Sequence, residues 1–159
     1  MLDNDDLRNQ ARGIQTTTLD QMIGLMNEDL KNEYKHHRFY LHASFVLRGL
    51  DRLHFGDWLR KQAAEELDHV AEFANKIAAL GTLPTTESND FPVNLTKAED
   101  ILAYAIIMEQ EVVTNYHMRL KQAQSLYENT DKHYDIVLLY EDQVEDSQKD
   151  LDEMVRMAV

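Results

Sequence analysis

The sequence has 159 residues, of which 43% are hydrophobic, and its formal net charge at pH 7 is −13. This length fits one domain with a single hydrophobic core. The chain has no cysteine, which excludes disulfides, zinc–thiolate sites and iron–sulfur clusters. The negative charge argues against nucleic acid as a partner, because affinity for DNA depends on Lys and Arg at the phosphates. An acidic surface attracts cations instead.

The sequence shows neither a membrane-spanning segment nor a signal for export. Its longest apolar run, residues 101–108, is far too short to span a bilayer. Residues 1–6 are acidic and polar and lack the apolar core of a signal peptide. We therefore expect a soluble, cytoplasmic protein without a membrane partner.

Apolar residues recur at steps of three and four in four segments, which predicts four amphipathic helices. The first helix is predicted to begin at Thr18, a good N-cap residue, and to continue to about Gly49. The second is predicted from near Phe55 to Leu80, and Gly81 is a suitable C-cap.

The third helix is predicted to begin at Thr96, which forms a capping box with Glu99. The apolar pattern breaks around residues 127–131, and a fourth helix follows. Both prolines lie between the second and third helices, which predicts a long crossover there. Short first and third connections with a long second one predict an all-α four-helix bundle over residues 18–159. Residues 1–17 are predicted to be an N-terminal tail or a short capping segment.

A carboxylate and a histidine with metal-ligand spacing lie in the second helix. Glu66 falls inside the apolar stripe, and His69 follows one turn later on its flank. Four-helix bundles hold pairs of metal ions with such Glu-x-x-His motifs on core-facing helices. An isolated motif of this kind is more often surface charge beside a core histidine. Here, however, Glu33 and Glu109 place matching carboxylates in the stripes of the first and third helices.

The first and third helices also show an internal repeat. Glu33 and Glu109 are 76 positions apart, and so are Tyr40 and Tyr116. Each helix therefore has a Glu in its apolar stripe and a Tyr two turns later. A matched pair of this kind is rarely accidental, so the repeat supports a metal site inside the bundle.

These motifs resemble the bacterioferritins and their relatives, the ferritins and Dps-like ferroxidases, over residues 19–155. The likeness is strongest in residues 32–43 and 65–77. It implies a ferritin-like four-helix bundle that binds two irons and oxidises Fe(II) with O2 or peroxide.

The resemblance also implies roles for individual residues. Glu33 and Glu109 would be terminal ligands, Glu66 would bridge the two ions, and His69 would be the nitrogen ligand beside Glu33. The two repeated tyrosines would orient the carboxylates. Carboxylate and imidazole ligands suit Fe(II), and Mn(II) as an alternative.

Three departures from the family limit what the resemblance implies. Leu67 stands where haem-binding bacterioferritins have a Met after the bridging Glu, so no haem is expected. Fourteen residues follow Glu145, too few for the fifth helix of large ferritin cages. A homo-oligomer of twelve subunits or fewer is therefore expected. Finally, the fourth helix has no Glu-x-x-His motif.

The fourth helix permits two alignments with the family. The family spacing places Asp142 and Glu145 at the ligand positions, whereas alignment of the apolar stripes places Val144 and Ser147 there. We favour the stripe alignment because a helix is oriented by its buried face. The second metal position is then predicted to lack ligands and to bind its ion more weakly than the first.

Other residues remain to supply that second position. Glu141 and Gln148 are the nearest candidates on the fourth helix. On the first helix, His37 lies one turn after Glu33, about 5.4 Å along the axis, and could reach a second ion. The alternative is that His37 is a core histidine hydrogen-bonded to a neighbour. The adjacent His36 is expected to be an ordinary surface histidine.

The leading functional hypothesis is a ferritin-like protein that oxidises Fe(II) with O2 or H2O2 and sequesters the product as a homo-oligomer. Two alternatives stay open. One is a structural or interaction protein on the same fold with a degenerate metal site. The other is a non-storage dimetal oxidase that acts on an organic substrate.

The charge of the chain gives a first testable prediction. We expect no retardation of linear DNA by this protein at physiological salt, because a net charge of −13 opposes approach to phosphates. A gel mobility assay measures this, and a salt-sensitive shift would overturn the prediction.

Overall fold

The computed structural model describes Asn4 and residues 16–159, and this part of the chain forms four long α-helices. They are α1 (Leu19–Val46), α2 (Phe55–Ala79), α3 (Ala98–Thr130) and α4 (Tyr134–Met157). A 3₁₀ turn, Leu50–Leu53, lies between α1 and α2, and the described residues contain no strand. The prediction of an all-α protein with four helices is confirmed. No helix in the described part of the chain combines the length and apolar character needed to cross a membrane.

The predicted tail over residues 1–17 lies outside the described residues, except for Asn4, Thr16 and Thr17. Thr17 is 6% exposed. Its backbone N–H donates to the hydroxyl oxygen of Ser125, 3.3 Å away. The chain is therefore already held against α3 just before α1 begins.

Side chains cap both ends of α1. At its start, the N–H of Thr18 donates to Oε1 of Gln21 at 3.0 Å, and the N–H of Gln21 donates to Oγ1 of Thr18 at 3.2 Å. This reciprocal pair confirms the predicted N-cap and satisfies donors that the first turn leaves free. At its end, the guanidinium of Arg52 donates to the carbonyls of Phe45 and Leu47 at 3.0 and 2.8 Å.

Three predicted boundaries are slightly wrong. The first helix ends at Val46 and not at about Gly49. The third helix begins two residues after Thr96, whose carbonyl accepts a hydrogen bond from the N–H of Arg48 at 2.9 Å. The same helix also continues through residues 127–130, where a break was expected. It ends at a turn in which Asp131 and His133 adopt left-handed φ angles of 54° and 69°. Backbone conformation, rather than loss of apolar periodicity, therefore ends α3.

The long crossover between α2 and α3 is present as predicted and lies along α1. It begins at Gly81, whose φ of 85° is left-handed and favours glycine at a helix C-terminus. The N–H of Thr85 donates to Oδ1 of Asn27 at 2.9 Å. Further along, Nε2 of His42 donates to the carbonyl of Val93 at 2.7 Å. These contacts fix the crossover to one face of the helix.

The described residues fall into two compact units, each with its own apolar core. Unit A is Met26–Met108 with Ala158, and unit B contains the residues before Met26 with Glu109–Met157 and Val159. The buried apolar side chains of unit A are Met26, Leu30, Phe39, Tyr40, Ala43, Leu47, Leu59, Ala63, Val70, Phe73, Ile77, Ile101, Ala105 and Met108. Those of unit B are Met22, Val112, Tyr116, Ala123, Leu126, Ile136, Val137, Leu139, Tyr140 and Met154.

The core of unit A predicts unequal effects for two phenylalanines of α1. Phe39 is 1% exposed, and its ring centroid lies 4.8 Å from that of Tyr104 and 6.2 Å from that of Phe91. Phe39→Ala should lower the free energy of unfolding by about 3–5 kcal/mol, because it removes apolar contacts and leaves a cavity. Phe45→Ala, at a residue 63% exposed, should change it by no more than about 0.5 kcal/mol. Urea unfolding measures both, and equal effects would contradict this core.

Candidate metal centre

Two helices of unit A bring three metal-ligating side chains together. Glu33 lies on α1, and Glu66 and His69 lie on consecutive turns of α2. One ligand atom from each of the three lies within 4.8 Å of the other two. The carboxylates are buried, with Glu33 2% and Glu66 3% exposed. The structure therefore places these three predicted ligands in one cluster.

The spacing of α2 explains why Glu66 points inward. Buried residues follow one another at steps of three and four along this helix: Leu59, Ala63, Glu66, Val70, Phe73 and Ile77. Because the apolar members of this stripe orient the helix, they carry the carboxylate of Glu66 into the interior. His69, three residues later, lies at the edge of the stripe, and its side chain is 15% exposed.

The imidazole of His69 faces both carboxylates through one nitrogen. Nδ1 of His69 lies 3.1 Å from Oε2 of Glu66, to which it donates a hydrogen bond. The same nitrogen lies 3.6 Å from Oε2 of Glu33. Nδ1 is therefore the nitrogen that an ion held between the two carboxylates would meet.

The charges of these groups depend strongly on one another. Burial acts to raise the pKa of Glu33, but its hydrogen bonds with His69 and Glu66 and the nearby histidine charges outweigh burial and lower the pKa. Burial acts to lower the pKa of His69, but its hydrogen bonds and attraction to the two carboxylates raise it well above the ordinary value. In the metal-free protein, protonated His69 thus supplies the positive charge that the buried carboxylates require.

His36 is buried in this region, so the expectation of a surface histidine is wrong. It is 2% exposed, and one of its ring nitrogens lies within 4.8 Å of a carboxylate oxygen of Glu66. The sequence contains a motif that indicates an inward-facing histidine at position 36. Glu33 and His36 are three residues apart and form a Glu-x-x-His motif on α1, matching Glu66 and His69 on α2.

His37 makes a different contact. Its Nδ1 lies 2.6 Å from the carbonyl oxygen of Ala63, so the ring ties α1 to α2. This geometry corresponds to the alternative of a histidine hydrogen-bonded to a neighbour. The metal-ligand role of His37 stays a prediction.

The predicted residues of α3 lie at buried positions in unit B. Glu109 is 2% exposed, and its role as a terminal ligand stays a prediction. Tyr116 is 1% exposed and packs edge-on against Tyr140, with ring centroids 5.8 Å apart. Tyr40, its counterpart in unit A, is fully buried. Whether the two repeated tyrosines orient carboxylates also stays a prediction.

No carboxylate or histidine of α4, a helix described in full, is buried. The buried residues of α4 are Ile136, Val137, Leu139, Tyr140, Gln143, Ser147 and Met154. Asp142 and Glu145, the ligand positions by family spacing, are exposed, and so is Glu141. Ser147 is buried and Val144 half-buried, in agreement with the stripe alignment. The sequence did not single out Gln143, which shares the buried face.

The sequence matches the family model of the ferritin-like domain over residues 23–157. Because the match spans most of the chain, this protein belongs to the ferritin-like family. No curated protein sequence matches the chain.

Several solved structures share the fold. A ferritin-like, diiron-carboxylate protein from Bacillus anthracis is 24% identical with a TM-score of 0.78, over 99% of this chain and 100% of that one. The bacterioferritin of Desulfovibrio desulfuricans, whose diiron site was studied in different catalytic states, is 19% identical with a TM-score of 0.78, over 99% and 83%. Mycobacterium tuberculosis bacterioferritin BfrA is 16% identical with a TM-score of 0.76, over 89% and 86%. These likenesses establish a ferritin-like four-helix bundle.

The opposite pKa shifts of Glu33 and His69 define a pH window for the stability of the metal-free protein. The contribution of Glu33 is present above its ordinary pKa of 4.5 and is lost as the pH falls. The contribution of His69 to stability is fully present below its ordinary pKa of 6.5 and is lost as the pH rises toward its raised pKa in the folded protein.

With a chelator present, the wild type should therefore exceed His69→Gln in free energy of unfolding most at about pH 5–6, and less toward about pH 9. Urea unfolding over this pH range measures the difference. An advantage of the wild type that grows with pH would contradict the charged pair.

Proposed function

We propose that this protein binds Fe(II) at the centre formed by Glu33, Glu66 and His69, oxidises it with O2 or H2O2, and sequesters the Fe(III) produced. The observation that carries the proposal is the cluster of two buried carboxylates and an imidazole with ligand atoms within 4.8 Å. Membership of the ferritin-like family supports iron as the ion.

The ligands fit a divalent ion of intermediate hardness. Oxygen and imidazole nitrogen suit Fe(II) and Mn(II), whereas a site for softer ions would contain thiolates. Glu33 and Glu66 together bring negative charge into the interior, where a nearby cation is needed to stabilise it. A divalent ion would replace the proton on Nδ1 of His69. Binding would therefore release a proton, and affinity would rise with pH.

Reduction of O2 to H2O2, or of H2O2 to water, takes two electrons, and each Fe(II) supplies one. Two Fe(II) ions and two protons convert O2 to H2O2, or H2O2 to two water molecules. Paired ions in such sites lie roughly 3.5–4 Å apart. We assign Glu66 as the carboxylate shared by the two ions. Glu109, whose carboxylate is buried, is the proposed terminal ligand of the second ion.

Storage would take place in a homo-oligomer. Family membership supports self-association. Within such an assembly Fe(III) would leave the centre for an enclosed interior, so that the centre is free for further Fe(II).

The proposal predicts a stabilising effect of metal that depends on the buried ligands. Anaerobic Fe(II) should raise the thermal midpoint of the wild type, because an ion bound only by the folded state shifts unfolding by mass action. Glu66→Gln and His69→Gln should abolish most of this shift. Asp68→Asn, which removes an exposed carboxylate from the same turn of α2, should keep it. Differential scanning fluorimetry measures all four proteins, and an unchanged shift in Glu66→Gln would refute the site.

Admission of oxygen to the Fe(II)-loaded protein separates the possible functions. A ferritin-like storage protein forms Fe(III) and retains it through gel filtration. Binding without oxidation would favour a protein with a degenerate site. Rapid oxidation with no retained iron would favour a non-storage oxidase.

A further inference from the structure

The second Glu-x-x-His motif, Glu33 to His36 on α1, has a histidine that the proposed first metal position does not use. Glu33 and His36 are both 2% exposed. Four-helix dimetal proteins use two such motifs, one for each ion. In this chain α2 supplies one of them, and α4 has neither a buried histidine nor a buried carboxylate with which to supply the other.

We propose that His36 is the nitrogen ligand of the second metal position. The two Glu-x-x-His motifs then lie on α1 and α2. The second position keeps a nitrogen ligand although α4 has no buried histidine or carboxylate. This inference rests on the proposed function, because it concerns a second ion beside the first.

The distances within unit A support this assignment. Nδ1 of His69 lies 3.1 Å from one oxygen of Glu66, and a ring nitrogen of His36 lies within 4.8 Å of a Glu66 oxygen. Metal–nitrogen and metal–oxygen bonds are about 2.0–2.2 Å long, so two ligands of one ion are separated by roughly 3–4 Å. The separation of His36 and Glu66, at most 4.8 Å, is close to this range. The carboxylate of Glu66 is thus within reach of two imidazoles, as a bridge requires.

Neighbouring residues hold the ring of His36 in place. The side-chain amide of Asn32, one turn earlier, lies 3.4 Å from Nε2. Tyr40, one turn later, packs edge-on with ring centroids 6.5 Å apart and an interplanar angle of 85°. As placed, Nδ2 of Asn32 donates to Nε2, and a flip of this amide would present its oxygen to an Nε2 that carries a proton. Metal-bound histidines use such a partner on the nitrogen that does not bind the ion.

His37 is the competing candidate for the second position, and its contacts differ from those of His36. The two histidines are adjacent in the sequence, but Nδ1 of His37 is already bonded to the carbonyl of Ala63 at 2.6 Å. Substitution of either residue removes one imidazole from the same turn of α1. Only substitution of His36 should therefore remove a ligand from the second ion.

The experiment is a calorimetric titration of the full-length protein with Zn(II), which binds without redox chemistry. The wild type should bind two ions per chain. His36→Gln should keep the first and weaken the second by at least about 100-fold, since even loss of an outer-shell partner costs 10–100-fold. His117→Gln, which removes an exposed imidazole from α3, is the control and should bind two ions as the wild type does. His37→Gln should weaken the second ion less than His36→Gln does. Zinc-anomalous diffraction from wild-type crystals tests the same point independently of any variant, and should show the second ion bonded to His36.

The outcomes distinguish this inference from the proposed function. Two ions bound by His36→Gln with wild-type affinity, or a second ion lost only in His37→Gln, would overturn the role of His36. A wild type that binds one ion, lost in Glu66→Gln, would overturn the inference and leave the first position standing. A wild type that binds no ion would overturn both.

Discussion

The partly buried hydrogen bond from Nδ1 of His69 to Glu66, 3.1 Å long, is the interaction on which the centre depends. Glu33 and Glu66 bring negative charge into the interior, which a nearby positive charge stabilises. Protonated His69 supplies that charge in the metal-free state, and a bound ion can supply it instead. The same three side chains therefore fold into a stable arrangement without metal and present a ligand set once the proton leaves. Folding and ion binding use the same negative charges.

Accurate placement of these charges requires that α1 and α2 keep a fixed register. The bond between His37 and the carbonyl of Ala63 sets that register one turn away from the carboxylates. On another face of α1, the crossover bonds to Asn27 and accepts a hydrogen bond from His42. Helix α1 is thus held from two directions and capped at both ends. A rigid support of this kind is what a precise metal site needs.

The fold and the burial of Glu33 and Glu66 in one cluster with His69 could be predicted because periodicity and spacing are local properties of the sequence. Helix boundaries and the core positions of Glu33 and Glu66 follow from steps of three and four residues. His36 could not be separated from His37 in this way, because they follow Glu33 by three and by four residues, and both steps keep to one helix face. The same ambiguity affects α4, where Met154 is buried and the adjacent apolar residue, Val155, is exposed. Packing against neighbouring helices selects between such positions, and a single helical pattern does not contain that information.

The partial exposure of His69 has a consequence for how fast the centre can work. Its side chain is 15% exposed, against 3% and 4% for those of Glu33 and Glu66, so among these three candidate ligands it is the most accessible to solvent. Glu65 and Glu72 lie one turn before and after His69 on the same side of α2, where their charges attract arriving cations. An ion would lose its water molecules and displace the histidine proton at this one place. The buried carboxylates would then govern how tightly an ion is held, and the acidic approach around His69 how quickly it arrives.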